Sequence, residues 1–105
     1  MANVLTRLAR KIEARKGGDD KNSYAAKLFA RGPYKCAEKF GEEAVEAIIA
    51  AAKDDPKNLT EEAADVLFHM LVMLSSRGVK WEDVLEELER REGISGIVEK
   101  QSRSK

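Results

Sequence analysis

Two acidic clusters hold the residues whose types and spacing could do chemistry. The first is Gly41-Glu42-Glu43-Ala44-Val45-Glu46, and the second is Glu61-Glu62-Ala63-Ala64-Asp65. Residues three apart share one face of a helix, so Glu43 stands with Glu46, and Glu62 with Asp65. Apolar residues follow each pair, from Ala47 to Ala52 and from Val66 to Leu74. The acids therefore sit where a helix face turns inward. Like charges held together repel, and burying them is costly unless something neutralises them. A hard divalent cation with oxygen ligands is the simplest neutraliser. The alternative is a solvated face, with acids near a helix start favoured by the macrodipole. That account suits Glu61 and Glu62. It suits Glu42, Glu43 and Glu46 less, because they lie in mid-helix.

The donor types narrow the metal. A di-iron carboxylate bundle needs Glu-x-x-His on two helices, and the chain has one histidine, His69. One histidine and one cysteine also disfavour zinc. An all-oxygen site points to Mg²⁺ or Mn²⁺. Such sites leave positions to water and to substrate phosphates, and their common task is phosphate chemistry. The chain has no G-x-x-x-x-G-K-[ST] loop, so metal and basic side chains would have to hold the phosphates. Lys27, Arg31, Lys35 and Lys39 lie just upstream of the first cluster. The competing account of Lys39 is surface pairing with Glu43 at i,i+4.

Positioning these groups falls to helices. The chain has 105 residues, 43% hydrophobic and 36% charged, which fits one charge-rich globular domain. Nineteen basic and nineteen acidic residues cancel, so no global field favours nucleic acid or a membrane surface. The longest apolar run, Val66 to Leu74, is too short to span a bilayer. A single thiol, Cys36, and the lack of a secretory apolar segment point to a reducing cytoplasm.

Hydrophobic spacing predicts a first helix from Asn3 to Lys16, with Leu5, Leu8, Ala9 and Ile12 inward. Gly17-Gly18-Asp19-Asp20 breaks it. Ser23 caps a short helix through Ala30, and Gly32-Pro33 ends that helix. A third helix runs from about Pro33 to Lys53. Its Gly41 costs about 1 kcal/mol against alanine and points to close approach by another helix or a ligand, or to a tolerated defect. Asn58 reads as the cap of a fourth helix, with Glu61 reaching back. That helix runs from about Leu59 to Arg77 and stops at Gly78. A fifth spans about Trp81 to Arg91.

The expected class is all-α, with about five helices. Residues 1–92 form the domain and 93–105 a loosely ordered tail in which Ile94, Ile97 and Val98 could dock. Helix four is apolar almost all round between Val66 and Leu74, more than a short chain can cover. Pairing two hairpins of helices three and four into a four-helix core would bury it, so a homodimer is expected. With these boundaries, a rise of about 1.5 Å per residue leaves the two acid pairs roughly one turn out of step.

The sequence also resembles a known family. Ser23-Tyr24-Ala25-Ala26-Lys27-Leu28, Gly32-Pro33-Tyr34-Lys35 and Lys39-Phe40-Gly41-Glu42-Glu43-Ala44-Val45-Glu46 are similar to phosphoribosyl-ATP pyrophosphohydrolases. So are Glu61-Glu62-Ala63-Ala64-Asp65-Val66-Leu67-Phe68-His69 and the stretch from Asp83 to Arg91. The E-E-x-x-E and E-x-x-D elements alone would indicate the broader all-α, MazG-like nucleotide pyrophosphatase superfamily. The S-Y-x-x-K-L and G-P-x-K elements narrow it.

The resemblance implies Mg²⁺-dependent hydrolysis of phosphoribosyl-ATP to phosphoribosyl-AMP and pyrophosphate, the second step of histidine biosynthesis, by a homodimer. It implies Glu43, Glu46, Glu62 and Asp65 as metal ligands, Glu42 as an extra ligand or water-positioning base, and Lys27, Lys35 and Lys39 as substrate-binding groups. Cys36, Trp81 and His69 read as packing residues, His69 as a hydrogen-bonded one. Lys80 stands where the family often has a capping serine. Two other readings compete: a MazG-like hydrolase of other nucleoside triphosphates, and a non-enzymatic dimerisation module.

Overall fold

The computed structural model describes residues 3–93 and 96–103. Six helices make up the described chain: α1 (Val4–Glu13), α2 (Tyr24–Arg31), α3 (Pro33–Ala52), α4 (Pro56–Ser76), α5 (Trp81–Arg91) and α6 (Gly96–Arg103). No strand occurs among the described residues. None of the helices is long and apolar enough to cross a membrane.

Short polar side chains fix where the helices begin. Asn3 accepts from the Thr6 amide at 2.9 Å and opens α1. Ser23 accepts from the Ala26 amide at 3.1 Å and opens α2. Each bond satisfies an amide that the helix itself leaves unpaired. Glycine at 32, with φ +94°, turns the chain directly from α2 into α3, where Pro33 takes the first position. The start of α4 corrects the sequence reading. Asp55, not Asn58, is the cap, and its carboxylate accepts from the Asn58 amide at 3.2 Å. Pro56 opens the helix, which gains three residues at its front. Gly78, with φ +75°, stops it.

The long helices α3 and α4 form an antiparallel hairpin joined by residues 53–55. Helices α1, α2 and α5 pack around the far part of α4. Ile12, Ala25, Leu28, Cys36, Leu71, Val72 and Trp81 form the core, with Leu5, Leu8, Ala9, Phe68 and Leu85 against it. Cys36 is 1% exposed, and its thiol donates to the Leu28 carbonyl at 3.5 Å. Burial pushes that thiol's pKa up, so it behaves as a small packing group.

The unpartnered apolar surface lies mainly on α3 rather than α4. Val45, Ile48 and Ile49 are 53%, 65% and 47% exposed, whereas Leu71 and Val72 of α4 are buried. Among the described residues nothing lies within 4 Å of the space a side chain at Gly41 would take, so close contact with another of the described helices is not its purpose. In the stretch after 93, Ile97 and Val98 of α6 are exposed. Ile94 lies outside the described residues.

Candidate metal and polyphosphate site

The early start of α4 decides which acids face one another. Glu46 lies six residues before the end of α3 at Ala52, and Glu62 lies six residues after Pro56. Glu43 and Asp65 are each nine residues from the same two ends. The offset of one turn expected from a start at Leu59 therefore vanishes, and the two pairs stand level across the hairpin.

Glu43, Glu62 and Asp65 each bring a carboxylate oxygen within 4.8 Å of the others. Glu43 and Glu62 are half-buried and Asp65 is exposed. Glu46 is exposed and outside this triplet, yet its charge acts on Glu62 more strongly than that of any other carboxylate. Burial, followed by the charges of Glu46, Asp65, Glu43 and Glu61, raises the Glu62 carboxyl above the usual range. Its Oε1 atom is buried and has no hydrogen-bond partner. An orphaned carboxylate oxygen facing further carboxylates is a costly arrangement. A divalent cation would relieve the repulsion and give that oxygen its partner. The donors are all oxygens, the set that suits Mg²⁺ or Mn²⁺.

Glu42 turns away from the triplet. Its Oε1 lies 3.1 Å from Lys39 Nζ, and its side chain is 49% exposed. Surface pairing of Lys39 thus uses Glu42 at i,i+3 and not Glu43 at i,i+4. Lys39 is held more basic first by that bond and then by Tyr24. Lys35 Nζ pairs with Glu38 Oε1 at 3.0 Å. Lys27, on α2, is exposed. Exposed pairs of this kind are weak, so an arriving polyanion can compete for both lysines of α3.

One pairing escaped the sequence reading. His69 is 5% exposed. Its Nδ1 is 2.8 Å from the Asp65 carbonyl, and its Nε2 is 3.0 Å from the Tyr24 hydroxyl. The hydrogen-bonded core histidine was expected, but its tyrosine partner was not. The usable signal was the tyrosine of S-Y-x-x-K-L, a large polar aromatic at the first position of a short helix. Trp81 packs in the core, as read. Lys80 precedes α5 without a side-chain cap bond.

Comparison with known proteins bears on the same residues. The family model for phosphoribosyl-ATP pyrophosphohydrolase matches residues 5–92. A phosphoribosyl-ATP pyrophosphatase of Rhodobacter capsulatus is 65% identical over 100 residues, covering 95% of this chain and 97% of that protein. One of Dinoroseobacter shibae is 66% identical over 101 residues, covering 96% and 99%. One of Paracoccus denitrificans is 64% identical over 99 residues, covering 94% and 92%. With the level acidic pairs, the basic stretch before them and this near-complete likeness together, the chain belongs to the phosphoribosyl-ATP pyrophosphohydrolase family.

Proposed function

We propose that this chain hydrolyses phosphoribosyl-ATP to phosphoribosyl-AMP and pyrophosphate, the second step of histidine biosynthesis, in a reducing cytoplasm. Identity near 65% over almost the whole of characteristically short relatives supports the activity. The observation that carries the site is the convergence of Glu43, Glu62 and Asp65, with an unpartnered Glu62 oxygen among them.

In this reading Glu43, Glu62 and Asp65 hold Mg²⁺, and Glu46 completes the acidic wall. When bound, the ion offsets charge on the phosphate oxygens and makes water a better nucleophile. The chain's own residues supply position and charge. Lys35 and Lys39 leave their weak pairs with Glu38 and Glu42 for the polyphosphate, and Lys27 approaches from α2. Release from Lys39 frees the Glu42 carboxylate to orient the attacking water or to join the ligands. Positioning and charge neutralisation carry most of the acceleration in such sites.

A homodimer belongs to this proposal. Val45, Ile48, Ile49 and the open side of Gly41 leave an apolar face on α3 beside the acids, and a second hairpin would cover it. Sedimentation is expected to give a dimer at micromolar concentration, and Ile48→Asp a monomer. A stable wild-type monomer removes the dimer. For the activity, phosphoribosyl-ATP is expected to release pyrophosphate with Mg²⁺ and not with a chelator. Release from deoxynucleoside triphosphates but not from phosphoribosyl-ATP would transfer the chain to a MazG-like role. Failure to hydrolyse either would favour a dimerisation module.

A further inference from the structure

The hydrogen-bond pattern around His69 has only one neutral solution. A carbonyl oxygen can only accept, so His69 Nδ1 carries a proton and donates to Asp65 at 2.8 Å. The neutral ring then has no proton on Nε2, which must accept from the Tyr24 hydroxyl at 3.0 Å. The phenol proton is committed inward, and the outer part of Tyr24, 48% exposed, remains at the surface. The ring is also fixed by packing. Tyr24 stacks on Phe68 with centroids 6.0 Å apart, and His69 meets Tyr24 and Phe68 edge-on at 5.6 and 5.2 Å.

This contact adds a polar tie between α2 and α4, which also meet through Ala25, Leu28, Leu71 and Val72 in the core. Helix α2 has eight residues, too few to persist alone. Tyr24 is its first residue, and Lys27 follows one turn later on the same side. His69 lies one turn after Asp65 on α4. Helix α3, which carries Lys35 and Lys39, packs against both α2 and α4. The phenol therefore stands where the lysine-bearing and acid-bearing helices meet.

We propose that Tyr24 is a positioning residue: through His69 it fixes the start of α2 to the Asp65 turn of α4, setting the distance between the acidic groove and the basic side chains that receive the polyphosphate. The proposal rests on the functional reading above. Groups that orient metal-site residues without touching the metal are commonly worth about tenfold or more in affinity or activity. Because the bond runs to the Asp65 carbonyl, it ties the His69 ring to the turn that carries this carboxylate.

Tyr24→Phe keeps the ring and its stacking and removes only the hydroxyl. His69→Asn keeps a short amide donor toward the Asp65 carbonyl but cannot reach Tyr24. Each is expected to lower kcat/KM about tenfold, and the double variant no more than either alone, because both remove one link. Mn²⁺ titration of the substrate-free protein, followed by its paramagnetic resonance, is expected to show weaker binding in Tyr24→Phe with an unchanged helical spectrum. Multiplying effects in the double variant would mean that Tyr24 acts on substrate directly, and the positioning role falls. Unchanged Mn²⁺ affinity and kcat/KM in Tyr24→Phe, with only a lower melting temperature, would also overturn it. If His69→Asn does not fold, Tyr24→Phe decides alone. A wild type that releases no pyrophosphate would sink the functional reading, while the Mn²⁺ series would still decide the positioning role.

Discussion

The two ends of α4 treat a carboxylate in opposite ways. Near its start, Glu62 is crowded by four other acids, is made harder to ionise, and keeps a buried oxygen without a partner. Near its end, Ser75 donates to Glu13 of α1. That bond, with help from Lys16, makes Glu13 easier to ionise. One helix thus carries a frustrated acid at one end and satisfies an acid of α1 at the other. The satisfied end is also where Leu71, Val72 and Trp81 close the core. Local conflict of this sort is tolerated where a site needs it and is compensated elsewhere in the fold. Here the compensation lies about two and a half to three and a half turns further along the same helix, from Leu71 to Ser75.

The sharpest way to break this contrast is to neutralise the frustrated end. Glu62→Gln and Asp65→Asn are each expected to lower Mg²⁺-dependent pyrophosphate release by about 100- to 1000-fold, the scale of losing a preorganised electrostatic group. Both variants should melt, without metal, at or above the wild-type temperature, because each removes a mutually repelling charge. Added Mg²⁺ should raise the melting temperature of the wild type and not of the variants. Paired assays and thermal melts check all three outcomes. Marked destabilisation of both metal-free variants would mean that these acids serve the fold, and the contrast along α4 would fail.

Leu71→Ala applies the opposite pressure. Leu71 is 3% exposed in the core cluster, so its truncation should cost about 2–5 kcal/mol. Well below the new melting temperature, kcat should change little, because Leu71 lies away from the acids. Denaturant melts and steady-state kinetics on one preparation separate the two effects. A large loss of kcat at full folding would show that the two ends of α4 are mechanically coupled.

How much of this was legible in the sequence differs between the two ends. The core end was readable because apolar spacing is a direct record of burial: Leu5, Leu8, Ala9 and Ile12 face inward as the period requires. The acidic end was readable in residue type but not in register. Asn58 offered a familiar capping pattern, while Asp55-Pro56 offered a better one, since proline needs no amide partner and aspartate caps strongly. Choosing between them moves the helix start by three residues and turns a one-turn offset into a level pair. The apolar run of α4 was read as the surface needing a partner. It is largely covered by α1, α2 and α5, and the residual apolar face is on α3. Spacing along one helix cannot say which neighbours a short chain wraps around it. The Tyr24–His69 bond was missed for a similar reason: the tyrosine stands out at the start of its helix, but its partner lies forty-five positions away.

The smallest expected effect tests the satisfied end directly. Ser75→Ala removes the hydroxyl that donates to Glu13, and a neutral-to-charged hydrogen bond at a partly exposed site should be worth about 1 kcal/mol or less. Its pH dependence carries the diagnosis. The bond to Ser75 depresses the Glu13 pKa in the folded state below its ordinary value of 4.5. A depressed carboxylate contributes stability above the unfolded pKa and loses it as pH falls through the folded one. The gap between wild type and Ser75→Ala should therefore be full above about pH 5. It should close as the solution is acidified below 4.5 toward the lowered folded value. Denaturant melts of both proteins across that range give the gap at each pH. A gap that does not change with pH would mean that Ser75 acts by packing rather than through the Glu13 charge. The lower end of α4 would then be satisfied by shape alone, and the difference between the two carboxylates would reduce to the crowding of Glu62.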